Sequence, residues 1–152
     1  PLLISGQAKY AVVPEPVLSA VMAKKSNIKI ILSLNEEWAK LNNVERGYPQ
    51  STLLIKEEFY NKIKNTNDYD KLIEAFSESE KWVLDNPQLA AEKCEELGIT
   101  VNKDVINESI RNSNLNFIRI ENSEEEYETY FSIIDGENKG EIEEYDSIFI
   151  KE

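Results

Sequence analysis

Histidine is absent from this 152-residue sequence. That removes the commonest general base at neutral pH and the commonest zinc ligand. It also rules out a Ser-His-Asp triad built within the chain. Cysteine occurs once, at Cys94, so no internal disulfide can form. The thiol falls in the run Leu89 to Leu97, which reads as a helix, and a buried thiol is expected there rather than a reactive one. Basic residues are few: 17 Lys and Arg stand against 29 Asp and Glu, a net charge of -12. Nucleic acid and anionic lipid headgroups both need a basic surface, so the charge argues against either as a partner. Long apolar runs are missing too. The longest, Ile30 to Leu34, is broken by Ser33 and falls far short of the ~20 residues that span a bilayer. No initiator Met precedes Pro1, and the expectation is a signal peptide already removed or a start inside a longer protein.

What is present suits one domain of ordinary size. Hydrophobic residues make up 41%, enough for a core, and charged residues 30%, enough for a soluble surface. Tyr10-Ala11-Val12-Val13, between Gly6 and Pro14, reads as a short buried strand. Pro16 suits the first turn of a helix with Val17, Leu18, Val21 and Met22 on one face and Lys24 and Lys25 in its last turn. Ile28 to Leu34 reads as a second strand, its even face fully aliphatic. Asn35 is the expected cap of a short helix carrying Trp38 and Leu41. After a loop from Asn42 to Gly47, Tyr48-Pro49-Gln50 leads into a third expected strand, Ser51 to Ile55.

From Lys56 the apolar period lengthens from two to helical spacing. Helices are expected over Glu57 to Ile63, over Asp68 to Asp85, from Pro87 to Leu97 with Gly98 as the stop, and from a cap at Asp104 through Ile110. Leu115 to Ile120 reads as an extended connector, and Ser123-Glu124-Glu125-Glu126 as a capping box opening a helix through Ile134. A polar tail follows Asp135-Gly136. The order β-α-β-α-β followed by helices reads as an α/β segment over 1–55 and a mostly helical segment over 56–152. Three strands are few for a doubly wound domain, which implies partner strands outside this chain.

Four stretches carry a family resemblance. The run Ser5-Gly6-Gln7-Ala8-Lys9-Tyr10-Ala11-Val12-Val13-Pro14-Glu15-Pro16 resembles the pattern G-x-A-D-x-A-x-x-x-E-P. Tyr48-Pro49-Gln50 follows, with Lys56-Glu57-Glu58-Phe59 after it; then Lys81-Trp82, Asn86-Pro87 and Ala90-Ala91; then Tyr130-Phe131 and a Gly-containing tail. In this order they resemble the carboxy-terminal part of the substrate-binding proteins of bacterial ABC importers, in the group that serves nitrate, sulfonates, taurine and thiamine precursors. Lys9 stands where the family usually has Asp, and the amino-terminal lobe is absent. The resemblance implies part of a type II periplasmic-binding-protein-like fold, a doubly wound lobe fragment followed by helices that return to the first lobe. It implies capture of a small polar solute in an interlobe cleft and delivery to an ABC permease, with no catalysis and no cofactor. It implies a place outside the cell membrane or in the periplasm, with any signal or lipid anchor upstream.

Candidate ligand-binding residues are Val13, Pro14 and Glu15, at the expected junction of strand and helix, and Tyr48 and Gln50, before the third strand. Glu15 between two prolines has a stiff backbone and a carboxylate beside a helix start; the same placement would serve the helix dipole alone. Tyr48 offers a ring face and a hydroxyl, Gln50 a donor and an acceptor, and a plain capped loop would use the same residues. Trp38 and Trp82, among aliphatic neighbours, read as core. The acidic runs Glu124 to Glu126 and Glu141 to Glu144 read as solvated faces, and Asp135-Gly136-Glu137-Asn138 lacks the EF-hand pattern, so no metal site is expected. Glu15 disfavours a bare oxyanion, so the expected solute is neutral, cationic or donor-rich. Uncovered apolar segments are expected to make the chain self-associate, and half a cleft to bind weakly. The alternatives are an enzyme resembling the thiamine-pyrimidine synthases, whose histidine this chain lacks, and a helical interaction domain without ligand.

Overall fold

A computed structural model describes residues 2–134. Among them the regular elements are all helical: α1 (Leu2–Ser5), α2 (Val17–Lys24), α3 (Leu34–Asn42), α4 (Glu57–Ile63), α5 (Asn67–Asp85), α6 (Pro87–Glu96), α7 (Lys103–Asn112), a 3-10 turn (Ile120–Asn122) and α8 (Glu124–Ile134). The expected α/β fold is therefore wrong for these residues. The three segments read as strands carry the apolar pattern of strands without their pairing. No backbone N–H of Tyr10 to Val13, Lys29 to Ser33 or Ser51 to Ile55 donates to the backbone of another described residue. A strand exists only as a rung-by-rung ladder with a neighbour. Periodicity marks a segment that would suit a sheet, yet supplies no neighbour. Each keeps at least one apolar side chain largely in solvent: Val12 is 80% exposed, Ile31 78% and Leu54 79%.

The helices begin and end for local reasons, some of them shifted from expectation. Ser33 and not Asn35 caps α3, its Oγ accepting from the N–H of Glu36 at 3.4 Å. Asn102 and not Asp104 caps α7, its side chain accepting from the N–H of Asp104 at 2.8 Å. Thr66 caps α5. Pro87 opens α6 at a position where its missing N–H costs nothing, and Gly98 follows the helix with φ +81°. No Ser123–Glu126 capping box is seen among the described residues: the Ser123 N–H donates to the Ile120 carbonyl, and its hydroxyl donates backwards to the carbonyls of Arg119 and Ile120. The tail after Ile134, with Asp135-Gly136 and Glu141 to Glu144, lies outside the described residues.

The chain divides into two compact units, Pro1–Lys29 with Asn61–Phe117, and Ile30–Tyr60 with Ile118–Glu152. In the first, α6 and α7 pack together, and α2 and α5 pack against them. Ala90 and Ala91 sit at 5% and 1% exposure, and small side chains there let the helices approach closely. Phe76 stacks on Phe117 with centroids 5.9 Å apart, and the Glu80 carboxylate accepts from the Phe117 N–H at 2.8 Å, tying the chain after α7 back to α5. Lys25 donates to the carbonyls of Leu3 and Ile4, closing the end of α1. The second unit holds α3, α8 and the 3-10 turn, and its interior is aromatic.

Ala91 is the point of least slack. Ala91→Leu should lower stability by ~1–3 kcal/mol, the usual cost of forcing extra methylenes into a closed contact. Leu97→Ser, at a residue 81% exposed, should change it by no more than ~0.5 kcal/mol. Urea unfolding followed by far-UV circular dichroism separates the two; equal midpoints would mean that Ala91 is not tightly enclosed.

Candidate functional site

The second unit gathers Trp38, Tyr48, Gln50 and Tyr130 at one place. The loop before Tyr48 is held by one side chain. Asn35 donates through Nδ2 to the Arg46 carbonyl at 3.3 Å and accepts through Oδ1 from the Tyr48 N–H at 3.2 Å. Between those two residues Gly47 is buried, with φ +90°. Only glycine adopts that backbone without cost, and a Cβ there would collide with the Asn35 carboxamide. Arg46 closes the loop from its other side, its Nη2 donating to the Asn122 carbonyl at 2.7 Å and its Nε pairing with Glu126 Oε1 at 3.0 Å. The two side chains are 30% and 17% exposed, so this pair is better shielded from water than the exposed ones elsewhere. Glu126, expected to be solvated, is thus a structural anchor.

Fixed in this way, Tyr48 meets two other rings. Trp38 of α3 lies edge-on to it at 5.6 Å and 67°, Tyr130 of α8 is 5.7 Å from Trp38, and Tyr48 and Tyr130 stack at 6.0 Å and 15°. These edge-to-face and offset arrangements are the favoured ones for aromatic pairs. Phe131 extends the cluster to Tyr127, whose hydroxyl lies 2.7 Å from that of Thr52. All three rings of the triad remain half-buried. Gln50 is exposed and donates through Nε2 to the Tyr48 hydroxyl at 3.3 Å. Beside the site, Lys40 bonds Glu37 at 2.7 Å, and that hydrogen bond, with the carboxylate's charge, raises the lysine above its usual range.

The chemistry on offer is that of recognition. Ring faces, one phenol hydroxyl and one carboxamide can contact a solute. No group of three or more His, Cys, Asp or Glu side chains suited to a metal ion occurs among the described residues. Val13, Pro14 and Glu15 lie in the first unit. The Pro14 carbonyl accepts from the Leu18 N–H, and Glu15 Oε2 accepts from the Ser19 N–H at 3.2 Å, so the carboxylate serves the start of α2. Its Oε1 is buried with no hydrogen-bond partner among the described residues. Sequence reasoning singled out Tyr48 and Gln50 but took Trp38 for core and gave Asn35 and Arg46 no part. The sign of Arg46 was its rarity, as one of only three arginines in an acidic chain.

No protein-family model, curated protein or solved structure matches this chain.

Gly47 and Asn35 should be energetically coupled. Gly47→Ala combines a disfavoured φ with the collision and should cost ~1–3 kcal/mol. In an Asn35→Ala background the collision is relieved, so the same change should cost less, and a double-mutant cycle by thermal unfolding measures the difference. Additive effects would mean that the carboxamide does not pack on Gly47.

Proposed function

We propose that this chain is a solute-binding module which captures a small polar molecule at Tyr48 and Gln50 and passes it to the permease of a bacterial ABC importer. The observation that carries the reading is the Gln50–Tyr48 hydrogen bond presented beside the half-buried rings of Trp38 and Tyr130. A ring platform with a carboxamide at its edge gives a solute apolar contact and orientation together, the usual composition of small-molecule sites. The importer half of the reading rests on the ordered motifs from Gly6 to Phe131, and places the protein outside the membrane. It does not rest on a doubly wound lobe, which the helical structure overturns. A catalyst on this chain would have to work without histidine.

A helical interaction domain is the second reading, favoured by apolar residues in solvent such as Leu41, 82% exposed. Tryptophan emission separates the two. In a Trp82→Phe background, titration with amines, amides, sugars and sulfonates should shift Trp38 emission saturably for one class, with modest affinity because a single platform covers little of the solute. Tyr48→Ala and Gln50→Ala should each weaken that binding by ~tenfold, as expected for loss of one good polar or ring contact. A folded chain whose Trp38 emission answers to no solute would leave the interaction domain standing.

A further inference from the structure

The segment from Lys29 to Leu34 is an apolar strip in solvent. Ile30 is 56% exposed, Ile31 78%, Leu32 54% and Leu34 49%. It is neither helix nor turn as far as Ser33, whose backbone is extended at φ -97°, ψ 114°. None of its backbone N–H groups from Lys29 to Ser33 has a partner among the described residues. Its ends have opposite charge. Lys29 precedes the aliphatic residues, and Glu36, exposed in the first turn of α3, follows them. Lys40 is bonded directly to Glu37, and Glu36 forms no ion pair of its own among the described residues.

We propose that this strip is an interface between two copies of the chain, paired antiparallel about a two-fold axis at Ile31. A strip that runs basic, apolar, acidic is complementary to its own reverse. With Ile31 facing Ile31, Ile30 lies opposite the second copy's Leu32, and Lys29 lies opposite Ser33 with Glu36 just beyond. Ile30 and Leu32 share one strand face, so the cross-strand pairs on that face are wholly aliphatic. The unpaired backbone groups find partners in the ladder so formed. A parallel pairing would set Lys29 against Lys29.

Neither of the two similar segments combines this charge order with an uninterrupted strip. Near Leu53 and Leu54, Lys56 and the acidic Glu57 and Glu58 stand at the same end. Around Tyr10 to Val13, Pro14 interrupts the ladder, and the Glu15 carboxylate is engaged with α2. The inference is independent of any bound solute.

Light scattering over a concentration series tests it on the whole chain. The mass should rise towards that of a dimer and stop there. Ile31→Lys sets like charges face to face and should weaken association by about tenfold or more. Lys29→Glu should weaken it, and Lys29→Glu with Glu36→Lys should restore it, because the swap rebuilds the complementary ends. Leu54→Lys, at an equally exposed apolar residue, should leave it unchanged. Ile31 is too exposed for its replacement to disturb the helices, and an unchanged far-UV spectrum confirms that. A monomer at every concentration overturns the proposal. So does a Leu54→Lys effect as large as that of Ile31→Lys, or a charge swap that fails to restore association.

Discussion

The packing of α6 against α7 is the contact on which the first unit is assembled, and α6 buries Ala90 and Ala91. α7 also carries α2, and α5 meets both α6 and α7, so two further helices take their places from that pair. Alanine matters here for what it lacks. A helix surface with a methyl at two successive positions lets a neighbour come close enough to gather many weak dispersion contacts. Between α2 and α7 the buried polar residues are small: Ser19 and Ser109 are buried, and Asn112 donates to the Ser19 hydroxyl at 3.4 Å.

Electrostatics contributes unevenly. The pairs Lys40–Glu37 and Lys93–Glu96 are short, but they lie in solvent, where water competes and holding two long side chains in place costs entropy. Arg46 and Glu126 are shielded, and Arg46 also binds the Asn122 carbonyl, so one guanidinium joins the loop before Tyr48 to the turn before α8. Arg46 is thus a charge given a structural task, as are Lys25 at the end of α1 and Glu80 at the Phe117 N–H.

Helices were legible in the sequence because their hydrogen bonds close within a few residues. Pro87 and Gly98 bracket α6 through their own backbone preferences, and the apolar stripe of α5 through Leu72 and Ile73 is set by the helical period alone. The strands were misread for the converse reason. Ile28 to Leu34 and Ser51 to Ile55 have the composition of strands, but pairing is a property of two segments, and a pattern within one cannot report the other. Of the site, Tyr48 and Gln50 were visible as polar residues beside a proline. Trp38 and Tyr130, separated by a long stretch of chain, give no local sign that their rings will meet.

Asn35 shows how the site is fixed without a sheet. Its carboxamide presents one donor and one acceptor in a plane, as a peptide group does. It spends the donor on the Arg46 carbonyl and the acceptor on the Tyr48 N–H, so it acts as a single rung of a ladder supplied by a side chain. The requirement is narrow. Aspartate would lose the donor and leave the Arg46 carbonyl without that bond. Glutamine keeps both groups, but its extra methylene must fit where the carboxamide already abuts Gly47. The glycine's positive φ turns the chain so that the Arg46 carbonyl and the Tyr48 N–H both face that one carboxamide. The aromatic platform therefore depends less on an apolar core than on this polar rung. Removing it would free Tyr48 from Trp38 and Tyr130 before it unfolded either helix.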